Sequence, residues 1–395
     1  MKKTMRALLV LASAACSAVP AAAQSDDVLS LSGSIIGSAA CLGLRDSAFY
    51  PEADAALPDY AAFTTAGFSA EAGERSRLCF EARARLDAVD RSLSFEVLRA
   101  YAEAKLGDYV SVGLGRRLVG FGCGLVWNPV NGIDAARNPF EREAARPGMD
   151  AVFASLELGG ATGFPLSLSA QAFPPPFTAG VDMAKGTLAA QAYIYIGGIE
   201  AGLTGDCADP AGGRPRWSAG AWGTVDIAGL VLGFEAAWRK SDRNPKPDDL
   251  GLPVVDDDPR LSALATASMR SGDFFFYVEG MYSEAGLSLS EAGRVAAAPA
   301  AVLPAYAYIA NPGSIGAWHA AAGLEWSRDE WACGLGALWD VEETAGAASA
   351  AGSWAVDDMA VLRIKGMVPM RYEKISEYDF LPYGWTVSAS VEVYF

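Results

Sequence analysis

The feature that most constrains this chain is a short segment, repeated along it, in which apolar and polar residues alternate and an aromatic ring bounds the apolar face at each end. Trp318, Ala320, Ala322, Leu324 and Trp326 share one face of such a segment, and after a turn at 327–330 the pattern returns in Trp331, Cys333, Leu335, Ala337 and Trp339. Phe274 and Tyr282 bracket Phe276, Val278 and Gly280 at the same spacing, and Leu230, Leu232, Phe234, Ala236 and Trp238 give a further case. A period of two marks an extended strand whose faces meet different surroundings. Eight residues at ~3.3 Å rise, tilted by ~40°, cover roughly 20 Å along a membrane normal, close to the ~25 Å apolar band of a transmembrane barrel with its two aromatic girdles. One such segment fits a half-buried strand of a soluble sheet; repetition at a fixed span does not.

Strands are expected near 28–37, 60–72, 76–88, 92–105, 108–120, 148–159, 163–173, 185–197, 199–206, 216–227 and 229–240. Further strands are expected near 260–271, 274–286, 316–327, 330–341, 354–366, 369–377 and 384–395. The fold class that follows is all-β: a single antiparallel transmembrane barrel of about eighteen strands, or sixteen if the weak stretches at 38–59 and 369–377 fall out. Tight turns at 197–198, 226–229, 271–273 and 327–330 alternate with long segments at 121–147, 241–259 and 287–315, the asymmetry of short periplasmic turns and long outer loops. The last segment carries Val387, Ala389, Val391, Val393 and Phe395 on one face and Thr386, Ser388, Ser390, Glu392 and Tyr394 on the other. A chain ending on an aromatic residue resembles bacterial outer-membrane proteins, whose barrel assembly machinery reads the terminal strand, so Phe395 is expected to act as an assembly signal.

Lys2, Lys3 and Arg6 precede an apolar run over 7–15, and Ala21, Ala22 and Ala23 then offer a small-residue cleavage site. This is the order of a Sec signal peptide, which divides the chain into a leader, 1–23, and a barrel, 24–395, exported to the bacterial outer membrane. A lipobox at Cys16 would need leucine where Ser13 stands. The uncharged region 295–324 is no spanning helix, because Pro299, Pro304, Asn311 and Pro312 interrupt it.

The chain holds 47 acidic against 31 basic residues, a formal net charge of −16, which argues against a nucleic-acid partner. Of the six cysteines, Cys16 lies in the leader, and the remaining odd set has no CxxC spacing. Neither a zinc site nor a full disulfide framework fits, although Cys41, Cys123 and Cys207, expected in loops, leave room for one bridge. The acidic runs Asp248-Asp249 and Asp256-Asp257-Asp258 lack the ligand spacing of a calcium loop and read as solvated surface, so no metal or cofactor is expected. His319 is the single histidine and no Gly-x-Ser-x-Gly elbow accompanies it, so the chain is not read as an enzyme.

One stretch looks specialised. Gly115-Arg116-Arg117 runs into Gly120-Phe121-Gly122-Cys123-Gly124 and Trp127-Asn128-Pro129, then through Asn138-Pro139 to Arg146-Pro147-Gly148-Met149-Asp150-Ala151. It resembles a pattern of uncharacterised bacterial outer-membrane porin-like families, in which a strand ends in Gly-Arg-Gln and a Trp-Gly pair before a Trp-Asn-Pro loop and Arg-x-Gly-x-Asp-Ala. The chain departs from it at Arg117, where Gln is usual, and at Phe121, where Trp is usual. The resemblance implies a barrel with a channel-like role and names no substrate. From the residues alone, the segment reads either as an inward-folded constriction, with Arg137, Arg142 and Arg146 in it, or as an ordered surface loop fixed by Trp127.

Alternation also assigns the inner face. Arg77, Glu81, Arg83, Arg85 and Asp87 point inward, joined by Arg99, Glu103 and Lys105, Arg117, Arg363, Lys365 and Arg371. Elsewhere the inward set includes Glu157, Glu200, Asp226, Glu235, Glu279 and Glu325, with His319. So many ionisable groups imply a water-filled lumen. The expected pore lining is therefore Arg83, Arg85, Arg99, Arg116, Arg117, Trp127, Asn128, Arg137, Arg142, Glu235, Glu279, His319, Glu325 and Arg363, with arginines facing acids across the lumen. The function this implies is passive or weakly selective diffusion of small hydrophilic solutes through a barrel that contacts outer-membrane lipid and is compatible with a homo-oligomer. The alternative is a structural or adhesive surface barrel closed by its loops.

Overall fold

Strand-length alternation with no amphipathic helix long enough to compete leaves the chain one way to satisfy its backbone beside an apolar surround, which is to pair strands until no edge remains. The computed structural model describes residues 29–44, 60–72, 76–87, 91–131, 147–159, 165–173, 187–208, 216–240, 246–254, 258–296, 316–342, 345–370 and 383–395. The leader region, Arg137, Arg142, Arg146, Arg371 and Asp256-Asp257 lie outside them. The strands are β1 (Leu29–Leu44), β2 (Tyr60–Ala72), β3 (Ser76–Asp87), β4 (Leu93–Leu106), β5 (Val110–Arg117), β6 (Met149–Glu157), β7 (Leu166–Phe173), β8 (Thr187–Ile196) and β9 (Ile199–Ala208). They continue as β10 (Arg216–Ile227), β11 (Leu230–Lys240), β12 (Arg260–Ser271), β13 (Phe274–Ser283), β14 (Trp318–Arg328), β15 (Trp331–Asp340), β16 (Ala345–Asp357), β17 (Ala360–Met370) and β18 (Tyr383–Tyr394). They form one 18-stranded antiparallel sheet, closed by the pairing of β18 with β1. The seam runs to the last residue: Phe395 and Gly33 exchange both backbone hydrogen bonds, at 2.9 and 3.0 Å.

The outward face is apolar between two aromatic rims. Leu114, Leu203 and Leu335 are each more than 60% exposed, which only a lipid-like surround makes favourable. Tyr282 packs on Trp318 at 4.6 Å at one rim, and Trp331 stacks on Trp354 at 5.5 Å at the other. Among the described residues no helix is long and apolar enough to cross a membrane. The helix α1 (Leu289–Ala296) lies in the connection between β13 and β14. Ser288 and Glu291 cap it reciprocally, the Glu291 carboxylate accepting from the Ser288 amide at 2.7 Å.

Two expectations are corrected, and a bulge in β4 adds residues to the inner face. β1 continues to Leu44, so Cys41 lies in a strand rather than a loop, as does Cys207 in β9; both are free thiols. The strand expected at 354–366 straddles a turn between β16 and β17, and that expected at 369–377 falls mostly outside the described residues. The strand actually present, β16, begins Ala-Gly-Ala-Ala-Ser-Ala-Ala-Gly, so its two faces differ too little in hydropathy for alternation to show. Finally, β4 carries a bulge: Glu81 pairs with Arg99 but Ala82 with Val97, skipping Leu98. The extra residue reverses parity and turns Ser94 and Glu96 inward along with Arg99, Tyr101 and Glu103.

Candidate functional site: the lumen and its inward loop

The site is built by the segment after β5. β5 ends at Arg117, and beyond it Gly122, at φ +88°, adopts left-handed backbone that a side chain would strain as the chain folds into the barrel. Asn128 folds the loop on itself: its side-chain amide donates to the Phe121 carbonyl, and its Oδ1 accepts from the Asn131 amide at 3.1 Å. The Asn131 side chain donates in turn to the Val119 carbonyl at 2.8 Å.

Two wall carboxylates receive this loop. Glu235, on β11, accepts from the backbone amides of Cys123, of Gly124 at 2.6 Å and of Val130 at 3.4 Å. Glu279, on β13, accepts from those of Leu125, Val126 and Trp127 at 2.7, 3.0 and 2.7 Å. Successive N–H groups wrapped around an anion form a nest. Taking a carboxylate out of water costs several kcal/mol, and hydrogen bonds to a charged group return roughly 1.5–3 kcal/mol each, so three apiece offset the burial. Arg239 adds a bond to the Pro129 carbonyl at 2.7 Å.

Apolar side chains complete the docking. Val119, Phe121 and Val130 pack with Ala151, Phe173, Ala189 and Trp222. Val126 and Trp127 pack with Leu264, Tyr277, Met281 and Leu338. Trp127 lies 5.8 Å from the His319 ring, whose Nε2 is 3.7 Å from Asp340.

This corrects the expected pore lining. Glu235, Glu279 and His319 have the inward parity assigned to them, but they are 0, 3 and 2% exposed because the loop lies over them. They do not face lumenal water, and the lumen is a dry core along this wall. Arg116 is corrected as well: it shares the face of Val112 and Leu114, outward, and forms a bidentate pair with Asp150 at 3.0 and 2.9 Å. Trp127 and Asn128 hold the loop rather than line a passage.

Beside the loop the lumen stays open. A cavity of about 890 Å³ is lined from β1–β3 and from β13–β18, with Arg83, Arg363, Lys365, Arg270 and Glu325 among its charged residues. Arginines of β3, β4 and β17 are paired with neighbouring carboxylates: Arg83 with Glu96 at 2.5 Å, Arg99 with Glu81 at 3.1 Å, Arg363 with Glu392 at 3.2 Å. Arg85 lies 4.1 Å above the Phe63 ring and 3.6 Å from Asp87, and Arg117 4.2 Å above the Phe153 ring. Of the acids expected to face these arginines across the lumen, Glu235 and Glu279 lie beneath the loop and Glu325 lines the chamber, while the arginines pair with carboxylates on neighbouring strands. Glu96 escaped the sequence reading because the bulge that turns it inward has no hydropathy signature.

A closed eighteen-stranded barrel with apolar exterior, aromatic rims and a loop folded into its lumen has a porin-like outer-membrane fold. Solved structures similar to it include Pseudomonas aeruginosa OccK2 (OpdF), in complex with glucuronate, at TM-score 0.55 and 10% identity over 93% of this chain and 96% of that one. Pseudomonas aeruginosa OccD3 (OpdP) gives TM-score 0.53 and 10% identity, covering 93% and 91%. OmpF of Salmonella typhi, in complex with daunomycin, gives TM-score 0.50 and 12% identity, covering 93% and 97%. No protein-family model and no curated protein sequence matches the chain.

Proposed function

We propose that this protein is a bacterial outer-membrane channel for passive or weakly selective diffusion of small hydrophilic solutes. The observation that carries this reading is an open lumenal chamber with charged side chains, among them Arg83, Arg363, Lys365 and Glu325, beside the docked loop. A barrel serving only as surface structure has no use for a charged inner wall beside an open chamber, whereas a water-filled passage keeps ionisable side chains solvated. The Gly-Arg and Trp-Asn-Pro segment supports the same reading, since it is the segment that builds the loop. The leader at 1–23 would supply Sec export, and Phe395 the signal for barrel assembly.

The passage runs along the ion-paired wall, so the charge balance of that wall sets ion choice. Changing Arg83, Arg85 and Arg117 together to Gln leaves Glu96, Asp87 and Glu103 without those cations. Reversal potentials of the refolded protein in planar bilayers should then move toward cation selectivity. The shift should shrink in ~1 M salt, where the Debye length is ~3 Å. Unchanged reversal potentials at low salt would remove the wall from the permeation path, and a folded barrel that never conducts would favour the loop-closed structural barrel.

A further inference from the structure

We propose that Glu235 and Glu279 are positioning residues of the channel: by holding the backbone amides of residues 123–130 they fix the inward loop against one wall and so set the width of the passage left along the other. The proposal rests on the channel reading above and identifies the groups that decide its bore.

Three independent observations carry it. The first is placement. The carboxylates stand on β11 and β13, with β12 between them, and take consecutive parts of the loop: Glu235 holds residues 123, 124 and 130, and Glu279 holds 125, 126 and 127. A loop held at two points across three strands cannot swing about either one.

The second is partner type. Across the lumen, inward carboxylates meet arginines on adjacent strands, as Glu96 meets Arg83 and Glu392 meets Arg363. Glu235 and Glu279 instead spend their acceptors on amides far away in sequence, more than 100 residues distant. A carboxylate that merely balanced wall charge would have no reason to reach for a loop.

The third is the shape of the loop. Gly122 holds φ +88°, and a Cβ on it would come 2.5 Å from Glu235 Oε1, so the clamp needs bare backbone there. Beside it the Cys123 thiol turns to the wall, 3.8 Å from the Gly223 carbonyl and 3.7 Å from that of Phe234. Cys123 therefore reports docking chemically, whether or not current flows.

The test uses the full barrel with Cys41, Cys79, Cys207 and Cys333 changed to Ala, leaving Cys123 as the probe. In the pair Glu235→Gln and Glu279→Gln, each side chain would keep one acceptor oxygen, lose its charge and confront the remaining N–H donors with an NH2 donor. Labelling of Cys123 by a water-soluble maleimide should rise by roughly tenfold, because access follows release of the loop. Single-channel conductance should rise by about twofold with a larger polyethylene glycol cutoff, since a wider constriction admits more. Gly122→Val should reproduce both effects with the carboxylates intact. Glu235→Asp, which keeps the charge, should lie between the pair and the parent.

Heat-modifiable migration marks the barrels that folded, and where the double variant does not fold, Gly122→Val and Glu279→Gln alone decide by the same readouts. A folded variant whose Cys123 stays shielded shows that the carboxylates do not hold the loop and overturns the proposal. One whose Cys123 labels freely while conductance and cutoff stay fixed shows that the loop does not set the bore, and also overturns it. If the parent passes no current, the channel reading fails by itself, and the bore-setting role falls with it, while the labelling result still decides whether the two carboxylates hold the loop.

Discussion

An inward-facing carboxylate in a barrel can stay in water, pair with a cation on the neighbouring strand, or be buried under another segment, and these fates are not distinguished by the residue type. Glu392 pairs with Arg363, whereas Glu235 is fully buried beneath loop amides. Cys123 shows what such burial does to a neighbour. Desolvation first, and then the nearby Glu235 charge, push its thiol up to about 12. Between the ordinary thiol value of 9.0 and about 12 the docked loop binds this proton more tightly than the free chain does. Docking is therefore favoured in full below the ordinary value and loses support as the pH rises through this window. Alkylation of Cys123 by iodoacetamide, followed by peptide mass spectrometry, should be far slower in the folded barrel than in the urea-unfolded chain from pH ~7 to ~9.5, since the thiolate is the reactive form and its fraction stays small below about 12. Equal rates in the two states would mean that the docked loop does not hold the thiol against the wall.

The strands were legible to the degree that their faces differ. β14 and β15, each running between two tryptophans, were readable to within a residue or two, whereas β16 was not, because alanine, glycine and serine serve on both of its faces. The bulge in β4 was equally hidden, since Leu98 looks like any apolar strand residue until its neighbours' pairing is known. Face assignment by strand is open to a direct test. Leu335 sits between Trp331 and Trp339 on the outward face of β15 and is 61% exposed. Leu335→Arg should destabilise the barrel by about 2–4 kcal/mol, the cost of a cation near the bilayer midplane, in guanidinium titrations of protein folded into lipid vesicles. Ser349→Arg, on the inward face of β16 and lining the chamber, should cost far less. Equal losses at the two positions would contradict the assigned faces.

At the scale of the whole molecule, closure makes the barrel one cooperative unit. The β1–β18 seam ends with Phe395 bonded to Gly33 and its ring packed over that glycine, so the last residue of the chain completes the ring. Unboiled protein should migrate differently from boiled protein on gels. Removing Phe395 should lower the yield of the heat-modifiable form in a refolding assay with lipid vesicles, and an undiminished yield would show that the terminal pair adds nothing to closure. The alternation of apolar and polar residues and the tryptophan spacing by themselves determined that the chain is a barrel and, on strands such as β14 and β15, which parity faces inward, because lipid on one side and polar groups on the other impose a two-residue period that sequence must obey. Only the tertiary structure decided what the inner face meets. Whether Glu235, Glu279 and His319 touch water depends on a loop that enters from residues more than 100 positions away, and backbone amides, which every residue but proline carries, leave no mark in the sequence to announce that they will be there.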